Sequence, residues 1–317
     1  MSLLKEQVNL KIPGKVVING SYIVLEGEMA SVVVLNKYIN VTINTQNSDK
    51  FDLNLNIENG DMYLHSENDK GHWIYELITT ALTFINVENY NVNINGYFDD
   101  FFFLENGVKT GLGSSSCIFI AVIYSLYKIG KMKKPLLIAP KVDFKHNKEL
   151  VNLLYTVSKT LYPSASGCDI MASFLGPINF SFNVIQKINL IARHIILGSF
   201  GSSTSTRKML DLVGKVNWTS LKTINKILVK NLRNKETYKK YLEEIRHCSN
   251  IIVPDRQYKI LKKTFELNIL GCGISGAGGE DAVWCITDNV GQVKYLWEQE
   301  FTYVCSCEVI NNGIIIN

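Results

Sequence analysis

The stretch that decides the fold is Lys109-Thr110-Gly111-Leu112-Gly113-Ser114-Ser115-Ser116, which precedes an apolar run over residues 118–129. Its two glycines let the backbone approach an anion closely, because they have no Cβ to block it. Successive N–H groups in such a turn form an anion-binding nest, and the N-terminus of the following helix adds free N–H donors. The serine hydroxyls suit a phosphate group or Mg²⁺, which prefers oxygen ligands. The stretch therefore predicts either a phosphate-binding loop or an ordinary capped helix.

Three further segments carry candidate functional residues, and each also has an ordinary structural explanation. Lys15 follows Pro13-Gly14 at the start of an apolar strand, where its side chain reaches either a cleft or solvent. Asp169 ends the run Ser166-Gly167-Cys168-Asp169 at the start of an apolar helix, a position that suits a helix cap or an acid near a phosphoryl group. Residues 271–279 contain five glycines in nine residues, which indicates a tight turn or a ligand approached by backbone.

Hydrophobic periodicity predicts the elements around these segments. Apolar or alternating runs predict strands around residues 16–18, 32–35, 51–57, 92–94, 178–184 and 195, with a hairpin turn at Asn59-Gly60. Apolar residues three and four apart predict helices at 74–85, 118–129, 150–161, 204–213, 219–247 and 255–267, and a basic loop covers 130–135. Mixed elements without regular alternation indicate the α+β class. The pattern restarts after residue 188, which predicts domains at 1–188 and 189–317.

Composition and charge exclude several classes of protein. The 317 residues are 46% hydrophobic and 20% charged, which indicates an ordinary globular chain. A net charge of +4 without a dominant basic run argues against nucleic-acid binding, and no apolar stretch is long enough for a membrane span. Scattered cysteines and the absence of a signal-peptide pattern indicate a cytoplasmic chain. We therefore expect small-molecule ligands, no nucleic-acid or membrane partner, and a monomer or homodimer.

Taken together and in order, the segments resemble the GHMP kinase superfamily, named for galactokinase, homoserine kinase, mevalonate kinase and phosphomevalonate kinase. Within it the chain is most similar to the phosphomevalonate kinases of the fungal and bacterial type. Tyr22 stands where mevalonate kinases usually carry histidine. Other stretches typical of that type are Lys109-Thr110, Ser166-Gly167-x-Asp169, Ser205-Thr206-x-x-Met209 and Val216-Asn-Trp218.

The resemblance implies a ribosomal-S5-like N-terminal domain, a ferredoxin-like C-terminal domain and an active site between them. It also implies ATP-dependent, Mg²⁺-assisted transfer of a phosphoryl group to 5-phosphomevalonate. Lys15 and Asp169 would then act at the transferred group, and Ser115 would ligate Mg²⁺. The ATP contacts implied are Lys109, Gly111, Leu112, Gly113, Ser114, Ser115 and Ser116. The substrate contacts implied are Tyr22, Ser166, Gly167, Ser205, Thr206, Lys208, Gly276, Ala277, Gly278 and Gly279, with Arg207 as the alternative to Lys208.

The chemistry of the acceptor decides what Asp169 is expected to do. A phosphate monoester is mostly dianionic at pH 7, so it needs cations more than a base. We therefore expect Asp169 to position Lys15 or Mg²⁺ rather than to remove a proton.

Three departures from the family pattern keep the acceptor open. Glu280 and Ser21 stand where the family has glycine, and Pro163-Ser164-Ala165 replaces a Lys-x-Gly pattern. The alternatives are another GHMP kinase, mevalonate kinase first, and a member that binds ligand without turnover.

Overall fold

The chain folds around a sheet whose strands come from both halves of the sequence. The structure is a computed structural model that describes residues 5–58, 62–65, 72–188 and 194–317. Its strands are β1 (Lys5–Asn19), β2 (Ala30–Asn47), β3 (Asp52–Glu58), β4 (Met62–His65), β5 (Ile85–Asn86), β6 (Tyr90–Phe98), β7 (Lys131–Met132), β8 (Lys141–Val142), β9 (Ile178–Phe180), β10 (Val184–Lys187), β11 (His194–Ser199), β12 (Gly271–Ile274), β13 (Val283–Thr287), β14 (Tyr303–Ile310) and β15 (Ile315–Ile316). Its helices are α1 (Trp73–Phe84), α2 (Ser114–Ile129), α3 (Lys148–Leu161), α4 (Cys168–Leu175), α5 (Thr206–Val213), α6 (Thr219–Lys230), α7 (Lys235–Cys248), α8 (Asp255–Thr264) and α9 (Val290–Glu298), with a 3-10 helix at Ile23–Glu26.

The sheet joins the two halves through two short strand pairings, β14 with β2 and β15 with β1. Its main path runs β12-β13-β11-β14-β2-β6-β3-β4, and β1 pairs antiparallel with β2. β14 meets β2 only at Val309↔Leu35 and Ile310↔Val34. The long strands β1 and β2 therefore lie at the centre, and Lys15 lies within β1. This arrangement is the predicted α+β class.

Helices α2 and α4 cover the sheet of the N-terminal half, and α1 and α3 pack against α2. α2 is apolar on nearly all sides and packs against β1, β2 and β6 as well as the other three helices. Its residues from Ser116 to Leu126 are buried, as its composition predicts. The helix begins at Ser114, four residues before the predicted start, so its N-terminus coincides with the glycine-rich stretch.

Polar contacts tie the C-terminal helices to the end of β1. The Asn19 side chain donates to Asn225 of α6 at 2.6 Å, and Asn225 in turn donates to the backbone carbonyl of Met29. The Gly20 N–H donates to the Tyr241 hydroxyl of α7 at 2.9 Å. These contacts hold the C-terminal half against the segment that carries Tyr22.

Most predicted elements are confirmed, but three differ. The single strand predicted over 178–184 is wrong, because the Ser181 hydroxyl accepts from the Val184 N–H and turns the chain into the antiparallel pair β9 and β10. The segment 219–247 is two helices, since Asn234 caps a new start by accepting from Thr237. The predicted loop 130–135 contains the short strand β7, paired with β5.

Two further predictions fall outside the described residues. They are the Asn59-Gly60 hairpin turn and the chain immediately after residue 188, where the domain boundary is predicted. None of the helices in the described parts of the chain has the length and apolar character needed to cross a bilayer.

Candidate active site

The glycine-rich stretch at residues 109–116, here called the glycine loop, has the backbone of an anion nest. Gly111 and Gly113 both have φ of 85°, a left-handed conformation that side chains other than glycine rarely adopt. Gly113 occupies the N-cap position of α2, and its cap is not closed by a side chain. The N–H groups of the first helical turn are thus free to face a bound anion.

Lys15 passes directly beneath this loop. Its backbone N–H donates to the Leu112 carbonyl at 2.9 Å, and its ammonium donates to the Gly111 carbonyl at 3.3 Å. A Cβ on Gly113 would lie 2.8 Å from Cε of Lys15, so glycine at 113 makes room for the lysine stem. The lysine is only 8% exposed and lines a cleft rather than facing solvent.

Serines of the first turn of α2 contact one cation and one carboxylate. The Lys109 ammonium donates to the Ser115 hydroxyl at 3.3 Å, and burial lowers the pKa of Lys109. The Ser116 hydroxyl donates to Asp169 Oδ2 at 2.9 Å. Asp169 Oδ1 accepts from the Ile170 N–H at 3.1 Å, in the first turn of α4, where a helix dipole favours negative charge. The glycine loop and Asp169 are therefore joined by a direct hydrogen bond.

A cleft of about 670 Å³ opens beside these groups. Of the residues predicted to act or to bind substrate, those that line it are Lys15, Tyr22, Ser166, Gly167, Asp169, Thr206, Gly276 and Ala277. Arg207 also lines it, as does Asp211. The cleft thus receives side chains from both halves of the chain.

Four residues predicted to bind substrate lie outside the cleft lining. The Ser205 hydroxyl accepts from the Lys208 N–H at 3.2 Å, so it caps α5. Lys208 and Gly279 line a separate surface depression, and Gly278 packs against Ile252. Of the two basic residues predicted as alternatives near the acceptor, Arg207 is the one in the cleft.

Tyr22 connects the cleft to the glycine-rich turn of the C-terminal half. Its hydroxyl donates to the Ala277 carbonyl at 2.6 Å, and its ring stacks on Trp218 with centroids 5.4 Å apart. Burial raises its pKa well above the usual range for tyrosine. Its φ of 65° is uncommon for a residue with a side chain, which indicates that these two contacts hold the backbone in place.

The turn at residues 275–279, here called the glycine turn, is fastened to its surroundings by backbone bonds. The Gly279 N–H donates to the Ile252 carbonyl at 2.9 Å, and a Cβ on Gly278 would lie 2.3 Å from that same oxygen. The next residue, Glu280, is exposed, and its carboxylate accepts from the Ser202 hydroxyl at 3.3 Å. The family departure at Glu280 therefore puts no carboxylate into the cleft.

Asp281 is a half-buried carboxylate for which the sequence predicted no role. Its Oδ1 accepts from the Thr204 N–H at 3.0 Å, and its Cγ lies 4.0 Å from where a Cβ on Gly111 would be. Burial raises its pKa to about 6, while the Thr204 N–H and the charge of Lys15 act in the opposite direction. An acid two residues after the glycine turn was the available signal.

The oxygen donors around the glycine loop fit Mg²⁺. Ser115 offers an exposed hydroxyl and Asp169 a carboxylate, and Mg²⁺ completes its shell with waters and substrate phosphates. The described residues contain no cluster of three or more His, Cys, Asp or Glu side chains suited to a metal. The donor set therefore suits a cation that arrives with a polyphosphate rather than one held by the protein alone.

Comparison with known proteins points to one fold. No family model matches the chain. The phosphomevalonate kinase of Saccharolobus solfataricus is 23% identical over 329 residues, covering 94% of this chain and 95% of that protein. The Lin0012 protein of Listeria innocua matches with a TM-score of 0.76 at 17% identity, covering 98% of this chain and 99% of that one. A Streptococcus pneumoniae phosphomevalonate kinase, in complex with phosphomevalonate and AMPPNP, matches with a TM-score of 0.67 at 16% identity, covering 96% and 99%. These similarities confirm the predicted resemblance, and the fold of this chain is that of the GHMP kinases.

Proposed function

We propose that this protein is an ATP-dependent kinase that converts 5-phosphomevalonate to 5-diphosphomevalonate. The observation that carries the proposal is the convergence of Lys15 and Asp169 on one cleft beside the glycine loop. Catalysis of phosphoryl transfer is mostly positioning and charge stabilisation. A lysine and a carboxylate that line one cavity, with an anion nest in contact with both, are the groups that this chemistry uses.

The glycine loop is the proposed seat of the ATP triphosphate. Its left-handed glycines and the N-terminus of α2, which no side chain caps, offer N–H donors to an anion. Lys109 and Ser115 add an ammonium and a hydroxyl at the same edge. Mg²⁺ bound with ATP would offset negative charge on the phosphates.

Lys15 and Asp169 have different proposed roles at the transferred group. Lys15 neutralises charge as the phosphoryl group moves, because it lines the cleft while its ammonium contacts the glycine loop at the Gly111 carbonyl. Asp169 accepts from Ser116 and so is already held by the glycine loop. A dianionic acceptor needs no general base, so Asp169 serves as a positioning group for the cations.

The cleft wall supports an anionic acceptor with an apolar carbon skeleton. Arg207 brings a guanidinium suited to phosphate or carboxylate. Val24, Leu161 and Leu210 line the same cleft and suit methyl and methylene groups. The relative from Saccharolobus is named for this reaction, and the Streptococcus structure holds phosphomevalonate with an ATP analogue.

ADP release with two acceptors tests the proposal. Purified protein with ATP and Mg²⁺ should turn over 5-phosphomevalonate and leave mevalonate nearly untouched. Turnover of mevalonate alone would contradict the acceptor. ATP binding without turnover of either compound would instead indicate a binding protein.

A matched pair of variants tests the acceptor site. Arg207 and Lys208 are adjacent on α5, but only Arg207 lines the cleft. Arg207→Ala should raise KM for phosphomevalonate about tenfold, which is about 1.4 kcal/mol of lost binding. Lys208→Ala should stay within about twofold of the wild type, because a side chain outside the cleft contributes little. Equal effects of the two changes would count against the proposed orientation.

Mevalonate kinase is the second candidate, and one feature of the cleft favours it. Residues 161–165 line the wall next to Ser166 without any charge. The nearby Lys159 donates to the Ala165 carbonyl and does not line the cleft. The wall has one cation fewer than the Lys-x-Gly pattern of the family would provide. It therefore suits mevalonate, which has one phosphate fewer than phosphomevalonate.

A further inference from the structure

The proposed reaction leaves one half-buried carboxyl group without a role. Asp281 lies behind the glycine turn and does not line the cleft. Burying a charged carboxylate destabilises a fold unless the group is paired or hydrogen-bonded. Asp281 has one hydrogen bond to its carboxylate, from the Thr204 N–H at 3.0 Å. Its retention so close to the glycine loop therefore calls for a functional reason.

Asp281 faces the glycine loop across the boundary between the two halves. A Cβ on Gly111 would lie 4.0 Å from Asp281 Cγ and 3.7 Å from the Ser275 hydroxyl. The carbonyl of Gly111 accepts a hydrogen bond from the Lys15 ammonium. Two titratable groups interact electrostatically with Asp281. The positive charge of Lys15 attracts its carboxylate, and burial together with the charge of Asp281 raises the pKa of Tyr22.

The position of the Lys15 ammonium depends on the charges around it. Among the described residues it forms no direct ion pair, and the hydrogen bond of its ammonium goes to a backbone carbonyl. Asp169 approaches the site from α4 in the N-terminal half, whereas Asp281 approaches from the C-terminal half. Asp281 and the Lys15 ammonium both lie next to Gly111, where the negative charge of the carboxylate attracts the ammonium.

Thr204 connects Asp281 to the acceptor side of the cleft. Its N–H donates to Asp281, and its hydroxyl accepts from the Glu280 N–H at 3.2 Å. Two residues later α5 begins, with Thr206 and Arg207 in the cleft wall. A change at Asp281 therefore reaches both the lysine and the start of the helix that faces the acceptor.

We propose that Asp281 is a positioning residue, which holds the Lys15 ammonium beside the glycine loop and fastens the start of α5. Its part in turnover rests on the proposed kinase function, but its effect on Lys15 does not. The protein tolerates the partial burial of this charge because the charge sets the position of a lysine that acts on phosphate.

The test compares Asp281→Asn with Glu280→Gln. Asparagine keeps the size of aspartate and an oxygen for the Thr204 N–H, so the fold should persist. Glu280 is the matched control, because it is the neighbouring carboxylate but points at Ser202 on the surface. The first readout is acylation of Lys15 by an amine-reactive reagent, followed by peptide mass spectrometry without any substrate.

Loss of the Asp281 charge should speed acylation of Lys15 about threefold or more, because the ammonium of this buried lysine is then held less firmly beside the glycine loop. Glu280→Gln should leave the rate within about twofold, since its charge faces solvent. The second readout is turnover, where Asp281→Asn should lower kcat about tenfold with ATP affinity unchanged or tighter, the pattern of a contribution to the transition state alone.

An unchanged acylation rate of Lys15 would overturn the inference whether or not the protein is a kinase. Equal loss of kcat and ATP affinity would also overturn it, since that pattern reports general structural damage. Absence of turnover in the wild type, together with faster acylation in Asp281→Asn, would reject the proposed function and leave the positioning of Lys15 supported.

Discussion

The glycine loop and the glycine turn have similar compositions but different surroundings. The loop is followed by the buried helix α2, whereas the turn leads into strand β13. In the loop, the atom nearest to a Cβ on Gly113 belongs to a lysine side chain. In the turn, the atom nearest to a Cβ on Gly278 belongs to backbone. Glycine thus leaves space for a functional side chain in one case and for close packing in the other.

The difference teaches that glycine density alone does not identify a ligand site. A helix N-terminus makes the loop a source of free N–H donors. The turn uses its own N–H groups internally, as when Gly278 donates to the Ser275 carbonyl and Gly279 to the Ile252 carbonyl. Only Gly276 and Ala277 of the turn line the cleft. Four substitutions test this difference between the glycine loop and the glycine turn.

Gly278→Ala should have the largest effect, and the effect should be on stability. The new Cβ would lie 2.3 Å from the Ile252 carbonyl, and a φ of 73° disfavours any side chain. Because backbone cannot move aside cheaply, we expect a loss of about 3–4 kcal/mol in the free energy of unfolding. Urea denaturation measures it. A loss below about 1 kcal/mol would show that the turn is not tightly packed.

Gly113→Ala should affect activity more than stability. Its Cβ would meet Cε of Lys15 at 2.8 Å, and a flexible side chain can move away. Displacing Lys15 by about 1 Å should lower kcat/KM about 100-fold. Gly107→Ala is the control, since its φ of 75° is similar but no atom lies within 4 Å of its Cβ. Equal activity of both variants would contradict the role given to Gly113.

Asp281→Asn should make stability less dependent on pH. Burial raises the pKa of Asp281 from its ordinary value of 3.8 to about 6. The folded state therefore binds more protons than the unfolded state between these values, and wild-type stability falls as pH rises from about 4 to about 6. At pH 7 the variant should be about 2 kcal/mol more stable than the wild type, allowing for partial exposure, and at pH 4 the two should match. Thermal unfolding at both pH values is the measurement. A wild type that is more stable than the variant at pH 7 would refute the sign.

Gly276→Ala should have the smallest effect of the four. No atom lies within 4 Å of the new Cβ, so only the φ of 57° opposes the change. We expect about 1 kcal/mol of lost stability and no change in ATP affinity. A large loss of ATP affinity would mean that the turn, and not only the loop, contacts the nucleotide.

Features set by local chemistry were predictable from the sequence. The glycine loop and α2 follow from glycines, serines and a continuous apolar run, and the structure has them adjacent as expected. The direction in which a side chain points was not predictable, because tertiary packing sets it. Met209 is buried, and this rotation of α5 puts Arg207 in the cleft and Lys208 outside it.

Two features could not be predicted from the sequence, for different physical reasons. The outward direction of Glu280 depends on Ser202 and Thr204, which lie far away in the sequence. The split of the strand at 178–184 depends on one hydroxyl of Ser181, which a period-two pattern does not register. Contacts with residues far away in the sequence, and single hydrogen bonds, therefore cannot be predicted from one sequence.

Calorimetric titration of a non-hydrolysable ATP analogue with Mg²⁺ into three proteins tests the central claim most directly. The account predicts that the wild type and Gly276→Ala bind alike, and that Gly113→Ala binds about tenfold more weakly, because only Gly113 belongs to the nucleotide nest. Equal affinity of all three proteins, or no binding by the wild type, would contradict the assignment of residues 109–116 as the ATP loop.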